Sequence, residues 1–315
     1  MNAPQKILRG FFYTIASGYG ARLGSLALTL AIKRTLGPGV FDHVLEGTII
    51  FLMLSTFGQF GQVYALLHYE KEARGQFGEF LQTHFTLNLI AGAAILVISW
   101  VVAFAIYDPS DDTAGWTAIV IGTFGGLRFL RTLSMTSEGL MRVGLQFGRL
   151  SLLHGVGTIA ALGVALLSAI RGWGEWSLLL GGWTTYSTFS LVYVILFCAG
   201  VWSSRPVTPW KLQLHPEWTK RLVNYGLWLW VAWVLQTFVW YYGWLVLKHM
   251  VGVRELTLFE HAWWFMQIPT AFISHIILNY TNTLYARYQN DRARLGDLPS
   301  PLVCALRART LGGAL

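Results

Sequence analysis

The chain has 315 residues, of which 54% are hydrophobic and 12% charged, and its mean hydropathy is +0.50. A soluble domain carries roughly 25% charged residues because its surface must be wetted, which excludes a soluble globule. The net charge of +8 lies between apolar runs instead of forming one patch, a membrane-orientation signal that argues against nucleic acid as a partner.

A helix needs about 20 mainly apolar residues to cross roughly 30 Å of hydrocarbon. Eight runs meet that length, near 11–32, 44–67, 83–106, 115–137, 150–170, 177–202, 222–247 and 257–280. Each must be helical, because lipid offers backbone amides no partner. The predicted fold is therefore all-α, a polytopic bundle of about eight transmembrane helices. The first run is full length for a span, so it is not a cleavable signal peptide. It carries Arg22 near its middle and ends in Lys33-Arg34-Thr35-Leu36-Gly37-Pro38-Gly39.

The second run closes on Phe57-Gly58-Gln59-Phe60-Gly61-Gln62, and the third ends at Tyr107-Asp108-Pro109-Ser110. In the fourth, Arg128 and Arg131 stand about 60° apart around a helix, and Glu138 follows seven residues after Arg131 on the same face. The fifth carries Gly155, Gly157 and Gly163, small residues suited to close helix packing, as Gly18 and Gly24 are in the first. Arg171-Gly172-Trp173-Gly174 breaks the chain before the sixth run. The seventh holds Trp228, Trp230, Trp233, Trp240 and Trp244, and the eighth Trp263 and Trp264. An interfacial belt is the favoured reading of these rings and a sugar-stacking wall the alternative.

Basic residues set the orientation. With the N-terminus in the cytoplasm, 15 of the 23 Lys and Arg fall in inside segments and five in outside loops. The remaining three, Arg22, Arg128 and Arg131, lie within spans.

Spans 1 and 7 share a pattern: a basic lead, an apolar span, then Lys33-Arg34 or Lys248-His249 before a Gly and the next span. The offset of 215 residues is six spans, so both copies point the same way, as parallel repeats do in rocking transporters. The expected organisation is a six-helix lobe over 1–203, a cytoplasmic linker over 204–221, the first helix pair of an incomplete second lobe over 222–290, and a cytoplasmic tail over 291–315. A C-terminally truncated product is the expectation that follows.

Several segments carry a family likeness. The turn Lys33-Arg34-Thr35-Leu36-Gly37-Pro38-Gly39-Val40-Phe41 resembles an "AR-x-LGP-x-x-FG" turn, with Asp42 in place of its closing Gly. Phe57 through Leu66 is similar to "F-x-D-x-G-x-x-x-AL", with Gln59 where an acid is frequent. Gly139–Arg142 through Phe147–Leu150 resembles the link between helices 4 and 5, Gly172 through Leu178 the "G-x-G-x-WAL" lead into helix 6, and Thr283 through Asp291 the segment after helix 8. Together they resemble the oligosaccharide-lipid flippases of the polysaccharide transporter group, relatives of the multidrug and toxin extrusion (MATE) transporters.

That resemblance implies a MATE-like N-lobe plus the first two helices of a second lobe. It also implies a cargo, an oligosaccharide on a polyprenyl diphosphate moved across the bacterial cytoplasmic (inner) membrane for lipopolysaccharide or other surface polysaccharide synthesis. Membrane lipids, and glycosyltransferases or a polymerase of the same pathway, are the implied partners.

An ionisable residue inside a membrane is expensive and marks a functional candidate. Guanidinium groups bind phosphate oxygens in a fork, so Arg22, Arg128 and Arg131 are the candidate diphosphate-binding residues, with Gln59 and Glu138 as polar cavity candidates. The structural alternative is that the arginines of span 4 snorkel to the interface or pair with Glu138. His84, His154 and His275 form no HxxxH or HExxH spacing, and no metal or other cofactor is expected. No GxxxxGK[ST] loop is present, which removes ATP as the fuel, and no catalytic constellation stands out, so an enzyme is not expected. A drug or metabolite exporter of the same superfamily, or a transport-inactive scaffold in a glycan-assembly complex, are the rival readings.

Overall fold

The structure is a computed structural model that describes residues 30–32, 34–36, 38–58, 62–106, 112–144, 146–181 and 212–251, with residues 255, 259, 262 and 263. Arg22 and Gln59 lie outside the described residues, as do Gly18, Gly24, His275 and most of spans 1, 6 and 8.

Among the described residues six α-helices and one 3-10 turn follow in order: α1 Pro38–Phe57, α2 Gln62–Tyr69, the 3-10 turn Glu72–Gly75, α3 Phe77–Ile106, α4 Asp112–Val143, α5 Phe147–Ile170 and α6 Pro216–Val251. The helices outrun the apolar windows that announced them. Both α1 and α6 start on proline, whose fixed φ and missing N–H suit a first helical position, so α6 begins six residues before its apolar window. Among the described residues four segments are long and apolar enough to cross a membrane: Glu46–Tyr69, Phe77–Ala105, Gly148–Ile170 and Pro216–Trp244. Helix α4 spans 32 residues yet is too polar to join them.

The polar helix is the central one. α4 packs against α3, α1 and α2, which shield its buried Thr132, Ser134, Thr136, Ser137 and Glu138. Glycines allow that approach, at positions other than Gly155 and Gly163. A Cβ added to Gly125 would stand 2.5 Å from Ser99, one on Gly92 2.6 Å from Thr132, and one on Gly47 2.7 Å from Val120. Gly155 and Gly163 of α5 have open space around them instead, because α5 leaves α4 soon after the turn and meets it chiefly through Met141, Leu150 and Leu153.

The second span is also not one continuous helix. α1 stops at Phe57, Gly58 turns with its N–H on the Ser55 carbonyl at 3.2 Å, and α2 starts at Gln62. A Cβ on Gly58 would overlap Ile95.

The turns sort to two ends of the bundle. At one end the 70–76 turn, the last residues of α4 and the start of α6 share a core of Leu66, Phe80, Leu140, Trp218 and Leu222. At the other, Trp116 meets Trp176 edge-on, and Ile32 packs with Ala165 and Ala169. There α5 closes with Trp173 N–H on the Ser168 carbonyl and Gly172 N–H on the Ala169 carbonyl. This is the bond pair that places a left-handed residue after a helix, and Gly172 supplies it with φ +77°.

Candidate functional site

The charged residues of α4 gather near its C-terminal end. Glu138 accepts from both sides: Arg131 donates to its Oε2, and Arg142 Nη2 donates to Oε1 at 2.7 Å. Arg131 also donates to Ser134 Oγ at 3.1 Å. Spacings of seven and four residues put all three side chains along one stripe of the helix. His154 of α5 lies within electrostatic range of the carboxylate. The Glu138 side chain is 6% exposed and each arginine side chain 15%, so the cluster is shielded from bulk water. Two cations on one anion leave a formal charge of +1. Arg128, one turn before Arg131, is half-buried and engaged in a contact of its own.

The structure thus brings Arg131 and Glu138 together and keeps Arg128 on the same helix. Sequence reasoning weighed the Arg131–Glu138 pair but missed Arg142 as second partner, although a Glu four residues before an Arg is a readable helical pair.

A second buried node stands beside the interruption of the second span. His84 of α3 is fully buried, with Nε2 2.9 Å from the Gln62 carbonyl and Nδ1 2.9 Å from Thr136 Oγ1. A carbonyl accepts only, so Nε2 carries the proton and Nδ1 accepts from the threonine hydroxyl. Asn88, one turn along α3, adds its amide at 3.2 Å from Nδ1 and donates to the His84 carbonyl at 2.9 Å. One imidazole thereby ties α2, α3 and α4 together, the hydrogen-bonded role anticipated for a lone intramembrane histidine.

On the far side of the interruption α6 supplies the partners. Trp230 Nε1 donates to the Phe57 carbonyl at 3.1 Å, and Thr237 and Thr56 share a hydroxyl bond of 3.0 Å. Trp233 meets Tyr64 edge-on, and Trp244 is buried against Ile49. Trp230, Trp233 and Trp244 are thus contacts between helices, and Trp228 is 74% exposed. Among the described residues no three His, Cys, Asp or Glu side chains converge as a metal site.

A family model described as "Polysaccharide biosynthesis protein" matches residues 32–302. No curated protein matches the chain. Among solved structures, a MATE in complex with MaL6 is similar with TM-score 0.66 and 15% identity over 90% of this chain and 64% of the other. A MATE in the straight conformation gives TM-score 0.62 and 15% identity over 90% and 65%. A transporter of the MOP superfamily from Pyrococcus furiosus, whose binding pocket is described as having reverse polarity, gives 0.62 and 15% over 89% and 64%. The chain thus has the MATE fold and spans about two thirds of the length of these transporters.

Proposed function

The chain belongs to the polysaccharide biosynthesis protein family, and from that premise we propose that it translocates an oligosaccharide linked to a polyprenyl diphosphate across the bacterial cytoplasmic membrane, by alternating access. The family match supports a glycan pathway, and the fold of membrane transporters supports translocation over catalysis. The observation that carries the choice of cargo is the charge on α4, which holds three arginines, Arg128, Arg131 and Arg142, against two acidic residues, Asp112 and Glu138. A central helix with surplus positive charge suits a diphosphate headgroup. In this reading Arg128 and Arg22 contact the phosphates, Arg131 helps while held by Glu138, and Gln59 and Glu138 are polar groups of the cavity wall. The end that gathers the 70–76 turn and the start of α6 faces the cytoplasm, with the N-terminus on the same side. An ion gradient or the membrane potential drives the cycle.

An exporter of cationic drugs is the less favoured alternative, because a cation needs a free carboxylate and Glu138 already serves two guanidiniums.

Binding of polyprenyl diphosphate to the purified full chain in nanodiscs, against polyprenol, tests the proposal. The diphosphate is expected to bind, and Arg128→Ala to weaken it about tenfold or more, the worth of one charged hydrogen bond. Equal binding of polyprenol and diphosphate would overturn the assignment.

A further inference from the structure

The two arginines that close on Glu138 hold it with a divided grip. Oε2 takes Arg131 and Oε1 takes Arg142, one oxygen to each. The stronger arrangement, both oxygens on one guanidinium in a two-bond fork, is not the one formed. Arg131 reaches the carboxylate from seven residues away, about 10 Å along the helix axis, and places a second nitrogen on Ser134 Oγ at 3.1 Å. Both arginine side chains are more exposed than that of Glu138, 15% against 6%. An anion reaching this stretch of α4 therefore meets guanidinium first, with the carboxylate behind it. The other acid of α4, Asp112, is the first residue of the helix, at its opposite end.

Carboxylate and phosphate compete for the same donors. A phosphate offers a guanidinium a fork of oxygens, and a diphosphate carries more than one negative charge, so it draws the arginines off Glu138. The carboxylate then keeps its charge where little water reaches it, which is strongly unfavourable for an ion that has lost its partners. That stranded charge, with its repulsion of the phosphates, pulls the arginines back. A site that passes ions must bind them well enough to admit them and weakly enough to let them leave. Arginines with no opposing charge, in surroundings of low dielectric, would meet only the first condition.

We propose that Glu138 is the release residue of the carrier: an internal carboxylate that exchanges with the cargo's diphosphate for Arg131 and Arg142. It holds them while the site is empty, yields them to the phosphates, and recovers them as the cargo leaves. This rests on the diphosphate reading above and gives Glu138 a part beyond that of a polar wall group. The exchange also serves the empty carrier, which completes its cycle with the charges of α4 paired instead of with two bare cations in the membrane interior.

Binding and dissociation of polyprenyl diphosphate, followed on the full chain in nanodiscs, test the exchange. Glu138→Gln removes the competing charge and is expected to tighten binding about tenfold or more, with most of the gain in slower dissociation. Glu217→Gln, an exposed carboxylate at the start of α6, should leave both unchanged. A Glu138 that only gathers the two arginines predicts the opposite sign, so equal or weaker binding by Glu138→Gln would overturn the proposal. Tighter binding that came wholly from faster association would remove the release role. Where Glu138→Gln does not fold, infrared difference spectra of the wild-type chain decide. The diphosphate is expected to shift a carboxylate stretching band that polyprenol leaves in place, with Glu138→Asp, which keeps the charge, assigning that band. An unmoved band ends the exchange. A wild-type chain that binds polyprenol as well as the diphosphate would instead sink the cargo assignment, so the two failures are told apart.

Discussion

Helices α3 and α4 are almost equally long, 30 and 32 residues, and lie against each other, yet they live in opposite surroundings. α3 presents Val97, Trp100, Val101 and Phe104 outward, all more than half exposed, and turns Thr83, His84, Thr86, Asn88 and Ser99 inward beside Phe80 and Ile95. α4 carries three arginines, a glutamate and a run of hydroxyls in its C-terminal half. The apolar helix separates the polar one from lipid. In a bilayer the usual inside-out relation is reversed, and the interior is where charge can be paired and hydrogen-bonded.

The sharpest way to break this contrast is to unpair α4. Glu138→Ala strands two shielded guanidiniums and is expected to destabilise the protein by about 3–5 kcal/mol, read as a large fall in unfolding temperature in detergent. Glu138→Gln, which keeps shape and part of the bonding, should fall less. If Glu138→Ala melts like the parent protein, the cluster is not structural. Placing charge on the other helix comes next: Val97→Arg, on the outward face of α3, should cost roughly 2.5–3.5 kcal/mol of insertion, seen as reduced membrane yield. Normal yield would mean that this face does not meet hydrocarbon.

His84→Ala should cost about 2–3 kcal/mol by leaving the Gln62 carbonyl and Thr136 without their shared partner. Unfolding measurements decide, and an unchanged midpoint removes the node from the account. Gly125→Ala drives a methyl into Ser99 and is expected to cost about 1–3 kcal/mol. Gly163→Ala, in open space on α5, should instead be neutral or gain up to about 1 kcal/mol. The smallest effect belongs to the 70–76 turn. Glu72→Ala removes an exposed ion pair worth less than about 1 kcal/mol, and that little should shrink further in high salt.

Much of this organisation is legible in the chain because membranes impose simple rules. Run length announced the spans at 83–106, 150–170 and 222–247. Arg171-Gly172 was readable as a helix stop because glycine supplies the left-handed residue. Run length fails where it averages over a local event: 44–67 reads as one apolar stretch, and the stop at Phe57 becomes visible only when Ser55, Gly58 and their neighbours are placed. Glycine spacing fails for a related reason. Small residues permit close approach but do not say which helix arrives, so Gly155 and Gly163 looked like contacts while Gly92 and Gly125 form them.

In the candidate site, Arg131 with Glu138 was foreseeable from helical spacing, and Arg142 was within reach of the same rule. The partners of His84 were partly so: Asn88 sits four residues on, but Gln62 and Thr136 come from other helices. Trp230 and Thr237 could not be assigned to Phe57 and Thr56, because no local rule links positions 173 and 181 residues apart.

That separation has a consequence for how the protein is made. Ribosomes add roughly 5–20 residues per second, so on the order of ten to forty seconds pass between synthesis of Phe57 and arrival of the indole that bonds its carbonyl. During that interval the nascent second span has its stop at Phe57 without the stitches from α6, and the insertion machinery or a membrane chaperone has to shelter it. Maturation of an early segment is thereby tied to delivery of a late one, and a chain halted before residue 216 would present cellular quality control with an unfinished seam.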